Sequence, residues 1–198
     1  MPDRSMTLRG RVAAVLGDNI DTDLIYPGRY LNITDREKTA EHLFELAYPE
    51  IRANLRPGEF LVAGKNFGCG SSREQAAAAL KFAGAGAVVA VSFARIFFRN
   101  AINLGLPAVL SQQASVACSP GDELEIDLLA GEIRNLSQNY SIRSAALDPR
   151  AVELLAAGGL IPYLRRRSTG IPAGVSGTGI PACVSGTGIP ACVLPRPS

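Results

Sequence analysis

Between residues 60 and 110 the chain alternates short, strongly apolar runs with helix-forming stretches. Phe60-Leu61-Val62-Ala63 stops in a glycine-rich turn, and residues 72–83 read as a helix closed by Gly84. Ala87-Val88-Val89-Ala90-Val91-Ser92 is a second buried strand. Residues 93–104 form a second predicted helix stopped at Gly105, and residues 107–110 begin a third strand. This strand–helix–strand–helix–strand order admits few arrangements. Strands that are apolar without alternation need cover on both faces, and parallel neighbours need long return connections. The pattern therefore predicts an α/β domain with a mainly parallel core sheet and covering helices.

The flanks read differently. Residues 8–16 form a strand, and residues 17–23 a polar turn holding Asp18, Asp21 and Asp23. Leu24-Ile25-Tyr26 reads as a short strand or extended piece closed by Pro27-Gly28, and residues 35–47 as a helix capped by Thr34 or Asp35 that ends before Pro49. Residues 123–129 and 133–136, turned by Ala130-Gly131-Glu132, carry a hairpin signature. A last helix over residues 149–157 ends at Gly158-Gly159, followed by a closing segment over 160–164. Residues 1–167 are thus expected to form one mixed three-layer domain. From Thr169 the sequence repeats every nine residues, as TGIPAGVSG, TGIPACVSG and TGIPACVLP. Such units have no period that buries a face, so residues 168–198 are expected to be a tail outside the fold.

Composition removes several classes of function. The 198 residues suffice for one good-sized core. With 47% apolar and 19% charged residues the chain is globular, and a net charge of +2 leaves no nucleic-acid footprint. No apolar run reaches the ~18 residues of a membrane span, and the first residues show no signal segment, so the expected location is cytoplasmic. Cys69, Cys118, Cys183 and Cys192 form no Cys-x-x-Cys pair, and His42 is the single histidine. A zinc site or a complete iron–sulfur ligand set within the chain is not expected, nor is a serine–histidine–aspartate triad.

Gly64-Lys65-Asn66-Phe67-Gly68-Cys69-Gly70-Ser71-Ser72-Arg73-Glu74 concentrates the chemistry. A glycine-rich turn between a strand and a helix N-terminus leaves backbone N–H groups free to face an anion. Arg73 offers a fork suited to a carboxylate or phosphate. A capping box, Ser71 as N-cap and Glu74 three residues on, accounts for two of these residues without function and is worth about 1 kcal/mol. It leaves Arg73 and the two glycines around Cys69 unexplained. The segment lacks the third glycine of a dinucleotide fingerprint and the lysine placement of a phosphate loop. Asp18 to Asp23 lacks the glycine and terminal glutamate of a calcium loop. Read from the residues alone, the segment is a small-anion site, catalytic or purely binding.

Gly17 to Asp23, Pro27-Gly28-Arg29-Tyr30-Leu31, the 64–74 segment, and Ser92-Phe93-Ala94-Arg95-Ile96-Phe97 with residues 100–105 resemble the swivel domain of the aconitase superfamily. The likeness covers residues 7–164 and points to the branch with separate small subunits, the 3-isopropylmalate dehydratases and homoaconitases. The resemblance implies a three-layer β/β/α swivelling fold and half of a hydro-lyase site. Such a lyase interconverts 2- and 3-isopropylmalate by removing and re-adding water; homocitrate- or methylmalate-type substrates are the alternatives. It implies a [4Fe–4S] cluster held by a separate large subunit, with no metal bound by this chain. By the same resemblance Ser71 is the base, Ser72 and Arg73 bind a substrate carboxylate, and Thr22 and Asp23 line the pocket. The loop after Arg29 would choose the substrate through Asn32 and Ile33. It has no arginine until Arg36, which favours an isopropyl group over a third carboxylate.

Overall fold

The computed structural model describes residues 6–168. The repeat tail expected beyond this point lies outside the described residues. Seven strands form one sheet in the order β4-β3-β2-β1-β5-β6-β7. They are β1 (Thr7–Val15), β2 (Phe60–Ala63), β3 (Ala87–Ala90), β4 (Ala108–Leu110), β5 (Glu123–Asp127), β6 (Glu132–Asn135) and β7 (Tyr140–Arg143). The pairs β1–β2, β2–β3 and β3–β4 are parallel, whereas β1–β5, β5–β6 and β6–β7 are antiparallel. The mixed α/β architecture with a parallel core and flanking hairpin is the expected one. β7 was not foreseen; it follows a turn in which Asn139 takes a positive φ of 55°.

The helices are α1 (Thr22–Ile25), α2 (Arg36–Glu41), α3 (Pro49–Asn54), α4 (Glu74–Phe82), α5 (Arg95–Leu104), α6 (Ala114–Ala117), α7 (Pro149–Ala157) and α8 (Leu160–Ser168). α4 packs on α2 and α5, and α7 and α8 pack on α5, giving a helical layer. α3 rests against β1, and α6 against β2 and β3. Every residue of β2 and β3 is buried, as their unbroken apolar runs require.

Two local expectations are corrected and two are extended. Leu24-Ile25-Tyr26 is no strand: Asp21 accepts from Leu24 N at 2.7 Å and caps the single turn α1. The helix expected over residues 35–47 stops at Glu41, because Phe44 adopts φ +53°. That strained backbone is held by Phe44 N donating to Ile25 O at 2.8 Å and by complete burial of the ring. Pro49 opens α3 instead of merely ending a helix, since its missing N–H costs nothing at the first position. The closing segment over residues 160–164 is helical, as part of α8.

Candidate functional site

The loops that follow the carboxyl ends of β2 and β3 meet at one end of the parallel half. Binding sites of open α/β sheets lie at this end, because the covering helices start there and present their N-termini. Phe67 N donates to Ser92 O at 2.9 Å and Ala94 N to Phe67 O at 2.9 Å, fastening the two loops together. Asn66 N donates to Ser92 Oγ at 2.8 Å. Phe67 is fully buried between the rings of Phe93 and Phe97, 6.0 and 5.2 Å away by centroid. Gly68 has φ +75°, and a Cβ there would run into Phe97, so this turn is closed to other residues.

The third segment of this assembly comes from the first polar turn. Gly68 N donates to Ile20 O at 2.7 Å and Thr22 N to Cys69 O at 2.8 Å. Asp18 Oδ1 accepts from Lys65 N at 2.6 Å. The carboxylates of Asp18 and Asp21 therefore serve the backbone, Asp18 across the loops and Asp21 as a cap.

Thr22 and Asp23 reach the signature loop itself. Buried Thr22 donates from Oγ1 to Ser71 O at 3.3 Å. Asp23 pairs with Arg73 through Nη1 and also accepts from Gly28 N at 3.1 Å. The structure thus brings Thr22, Asp23, Ser71 and Arg73 into one bonded group. The capping box is not formed. Arg73, in extended backbone at φ −101°, occupies the N-cap of α4 and makes no side-chain cap bond; its N–H donates to Ser71 O at 2.8 Å. Ser71 and Ser72 are consequently outside the helix, exposed, and free of intramolecular hydroxyl bonds among the described residues.

Both serines open onto a cleft of about 490 Å³, lined also by Gly68, Gly70, Ala94, Arg95, Ile96 and Arg99. Arg73 is not among the lining residues, because its guanidinium turns toward Asp23 and Gly28. Nor do Asn32 and Ile33 line it. They lie beyond a 3₁₀ turn, Gly28–Tyr30, where Asn32 is exposed and Ile33 half-buried. The base of that loop is rigidly held. Glu45 accepts from Arg29 Nη2 at 2.8 Å and Tyr30 OH at 3.1 Å and contacts His42 Nδ1 at 2.8 Å. The His42 ring stacks on Tyr30 at 3.6 Å, and buried Tyr26 donates to Tyr30 O at 2.9 Å. Partial burial pushes the Glu45 carboxyl upward, but the bonds from His42, Tyr30 and Arg29 outweigh it and leave the pKa lowered.

Among the described residues no group of three His, Cys, Asp or Glu side chains is placed to hold a metal ion. Cys118 is buried, and burial with the nearby Asp122 charge pushes its thiol up to about 11. These residues do not fit an iron–sulfur ligand set. The residues that sequence reasoning missed are Arg95 and Arg99. Arg95 belongs to a segment noted for its resemblance and Arg99 lies just outside it, but only the pairing of the loops after β2 and β3 brings them to the cleft that Ser71 lines.

Two exposed hydroxyls and two guanidinium groups thus line one cleft at the strands' carboxyl ends of an α/β domain. A family model described as the aconitase C-terminal domain matches residues 19–113. The chain is 51% identical over 162 residues to the 3-isopropylmalate dehydratase small subunit of Moorella thermoacetica, covering 82% of this chain and 97% of that one. It is 50% identical over 165 residues to the methanogen homoaconitase small subunit of Methanothermobacter thermautotrophicus, covering 83% and 95%. A crystal structure of 3-isopropylmalate dehydratase from Methanocaldococcus jannaschii matches with a TM-score of 0.75 at 43% identity, covering 83% of this chain and 96% of that chain. The chain belongs to the aconitase C-terminal-domain family, among its separate small subunits.

Proposed function

We propose that this chain is the small subunit of a 3-isopropylmalate dehydratase, a hydro-lyase that interconverts 2- and 3-isopropylmalate in leucine biosynthesis. The observation that carries the reading is the pair Ser71 and Ser72. Both hydroxyls are exposed on the cleft, and the Ser71 peptide is held by Thr22. Ser71 removes the proton beside a carboxylate. A serine is a weak base alone. The N–H groups of Gly70, Ser71 and Ser72 donate to no partner among the described residues. They and the α4 dipole favour the alkoxide form. Ser72 donates to the carboxylate. Arg73 holds it through its fork once substrate competes with Asp23, and Asp23 keeps the guanidinium oriented until then.

The second half of the site is a cytoplasmic large subunit bearing a [4Fe–4S] cluster, which would supply Lewis-acid polarisation of the leaving hydroxyl. Substrate choice falls to the loop carrying Asn32 and Ile33, which has no arginine and suits an aliphatic branch; such a contact discriminates by roughly 1–3 kcal/mol. Identity of 50% to a homoaconitase small subunit keeps a homocitrate-type substrate as the second reading. The test is coexpression with the large subunit under anaerobic conditions and assay of 2-isopropylmalate, homocitrate and methylmalate. The expected order of kcat/KM places 2-isopropylmalate first. A preference for homocitrate would replace the first reading with the second.

A further inference from the structure

Arg95 and Arg99 lie one turn apart at the start of α5, both exposed and both lining the cleft. Among the described residues neither makes an ion pair, whereas Arg9, Arg29, Arg73 and Arg134 all have carboxylate partners. Their placement is unfavourable for the helix. Like charges at i and i+4 repel, and a cation in the first turn opposes the helix dipole. Packing does not require them either, because α5 buries Phe97, Ala101 and Ile102. They are the only cations among the residues lining this cleft, since Arg73 is engaged by Asp23 outside it. Ile96, 40% exposed, stands between them in sequence and adds an apolar wall.

We propose that Arg95 and Arg99 form a second carboxylate subsite, on the same cleft as Ser71, that takes the distal carboxylate of a dicarboxylate. The proposal rests on the hydro-lyase reading and deepens it. Two guanidinium forks bind a planar carboxylate through paired charge-assisted bonds. The cleft volume lies in the range of small-molecule sites.

The experiment uses the assembled two-subunit enzyme with Arg95→Gln, Arg99→Gln and the double variant. Each single change raises KM for 2-isopropylmalate about tenfold, the double change more, with kcat within about threefold. Inhibition by the monocarboxylate 2-hydroxy-3-methylbutanoate, which lacks the distal group, stays unchanged. Arg99→Lys restores part of the loss. Gel filtration shows normal assembly, so misfolding is separable from lost binding. Unchanged KM, or equal weakening of the dicarboxylate and the monocarboxylate, overturns the proposal. Defective assembly with normal KM in the assembled fraction also overturns it and makes the pair a docking surface. If the wild-type complex turns over no substrate, calorimetric binding of 2-isopropylmalate still decides. Weaker binding to the double variant supports the subsite, and equal binding sinks it.

Discussion

In the antiparallel half of the sheet, Asp122 is buried and its carboxylate accepts from Ser119 N at 2.9 Å, Asn135 Nδ2 at 2.7 Å and Gln138 Nε2 at 2.9 Å. At the carboxyl end of the parallel half, the hydroxyls of Ser71 and Ser72 and the guanidinium groups of Arg95 and Arg99 have no such partners among the described residues. The first arrangement closes polar groups on one another and fixes the hairpin. The second leaves them open at the surface, where their interactions must come from outside. The difference separates a stabilising polar network from a binding one, and it assigns different consequences to similar side-chain deletions.

The largest expected effect is on chemistry. In the assembled enzyme Ser71→Ala lowers kcat by about 10²–10⁴ while the complex still forms and unfolds at the wild-type midpoint. A normal rate would remove Ser71 as base. Asp122→Ala should do the reverse. It strands three donors and lowers unfolding free energy by about 3 kcal/mol in urea titration, with KM unchanged in the folded enzyme. Gly68→Ala joins the two halves of the comparison, because its Cβ meets Phe97 at positive φ. About 2 kcal/mol of stability and most of the activity should go together, read by urea midpoint and initial rate. Arg73→Lys keeps charge but loses the fork, and should raise KM about tenfold by steady-state assay. Smallest is Glu45→Gln at the base of the Asn32–Ile33 loop, where the ion pairs are only partly buried. A change of about twofold in KM is expected.

Asp122 also predicts a pH dependence. Burial alone would raise its pKa, but the bonds from Ser119, Asn135 and Gln138 outweigh it and leave the pKa lowered. A carboxyl with a depressed folded pKa contributes stability above its unfolded value near 4 and loses it as pH falls through the folded one. Below about pH 4 the wild-type protein should therefore lose stability more steeply than Asp122→Asn. Equal slopes would show that the network does not favour the ionised form.

Much of this contrast was legible in the residues. The runs at 60–63 and 87–90 are short, apolar and separated by helix formers, so period and length alone fix the parallel core. The hairpin carries its alternation openly in Glu123-Leu124-Glu125-Ile126. The errors fell where a short-range signal met a tertiary one. Leu24-Ile25-Tyr26 has strand propensity, yet an Asp21 cap and the Thr22–Cys69 backbone bond hold Leu24 and Ile25 helical and leave only Tyr26 extended. Ser71 and Glu74 spell a capping box, yet Arg73 takes the cap position because Asp23 and Thr22 draw the loop outward. Arg95 lies 24 positions beyond Ser71, and only the crossover between β2 and β3 puts them on one cleft. No local pattern reports such a distance.

The most direct test of the account measures conversion of 2-isopropylmalate to 3-isopropylmalate by this chain alone, by its cluster-loaded large subunit alone, and by the two mixed. The account predicts turnover in the mixture only, lost again when the mixed chain carries Ser71→Ala. Turnover by either component alone, or a mixture that is folded, associated and cluster-loaded yet inert, would contradict it.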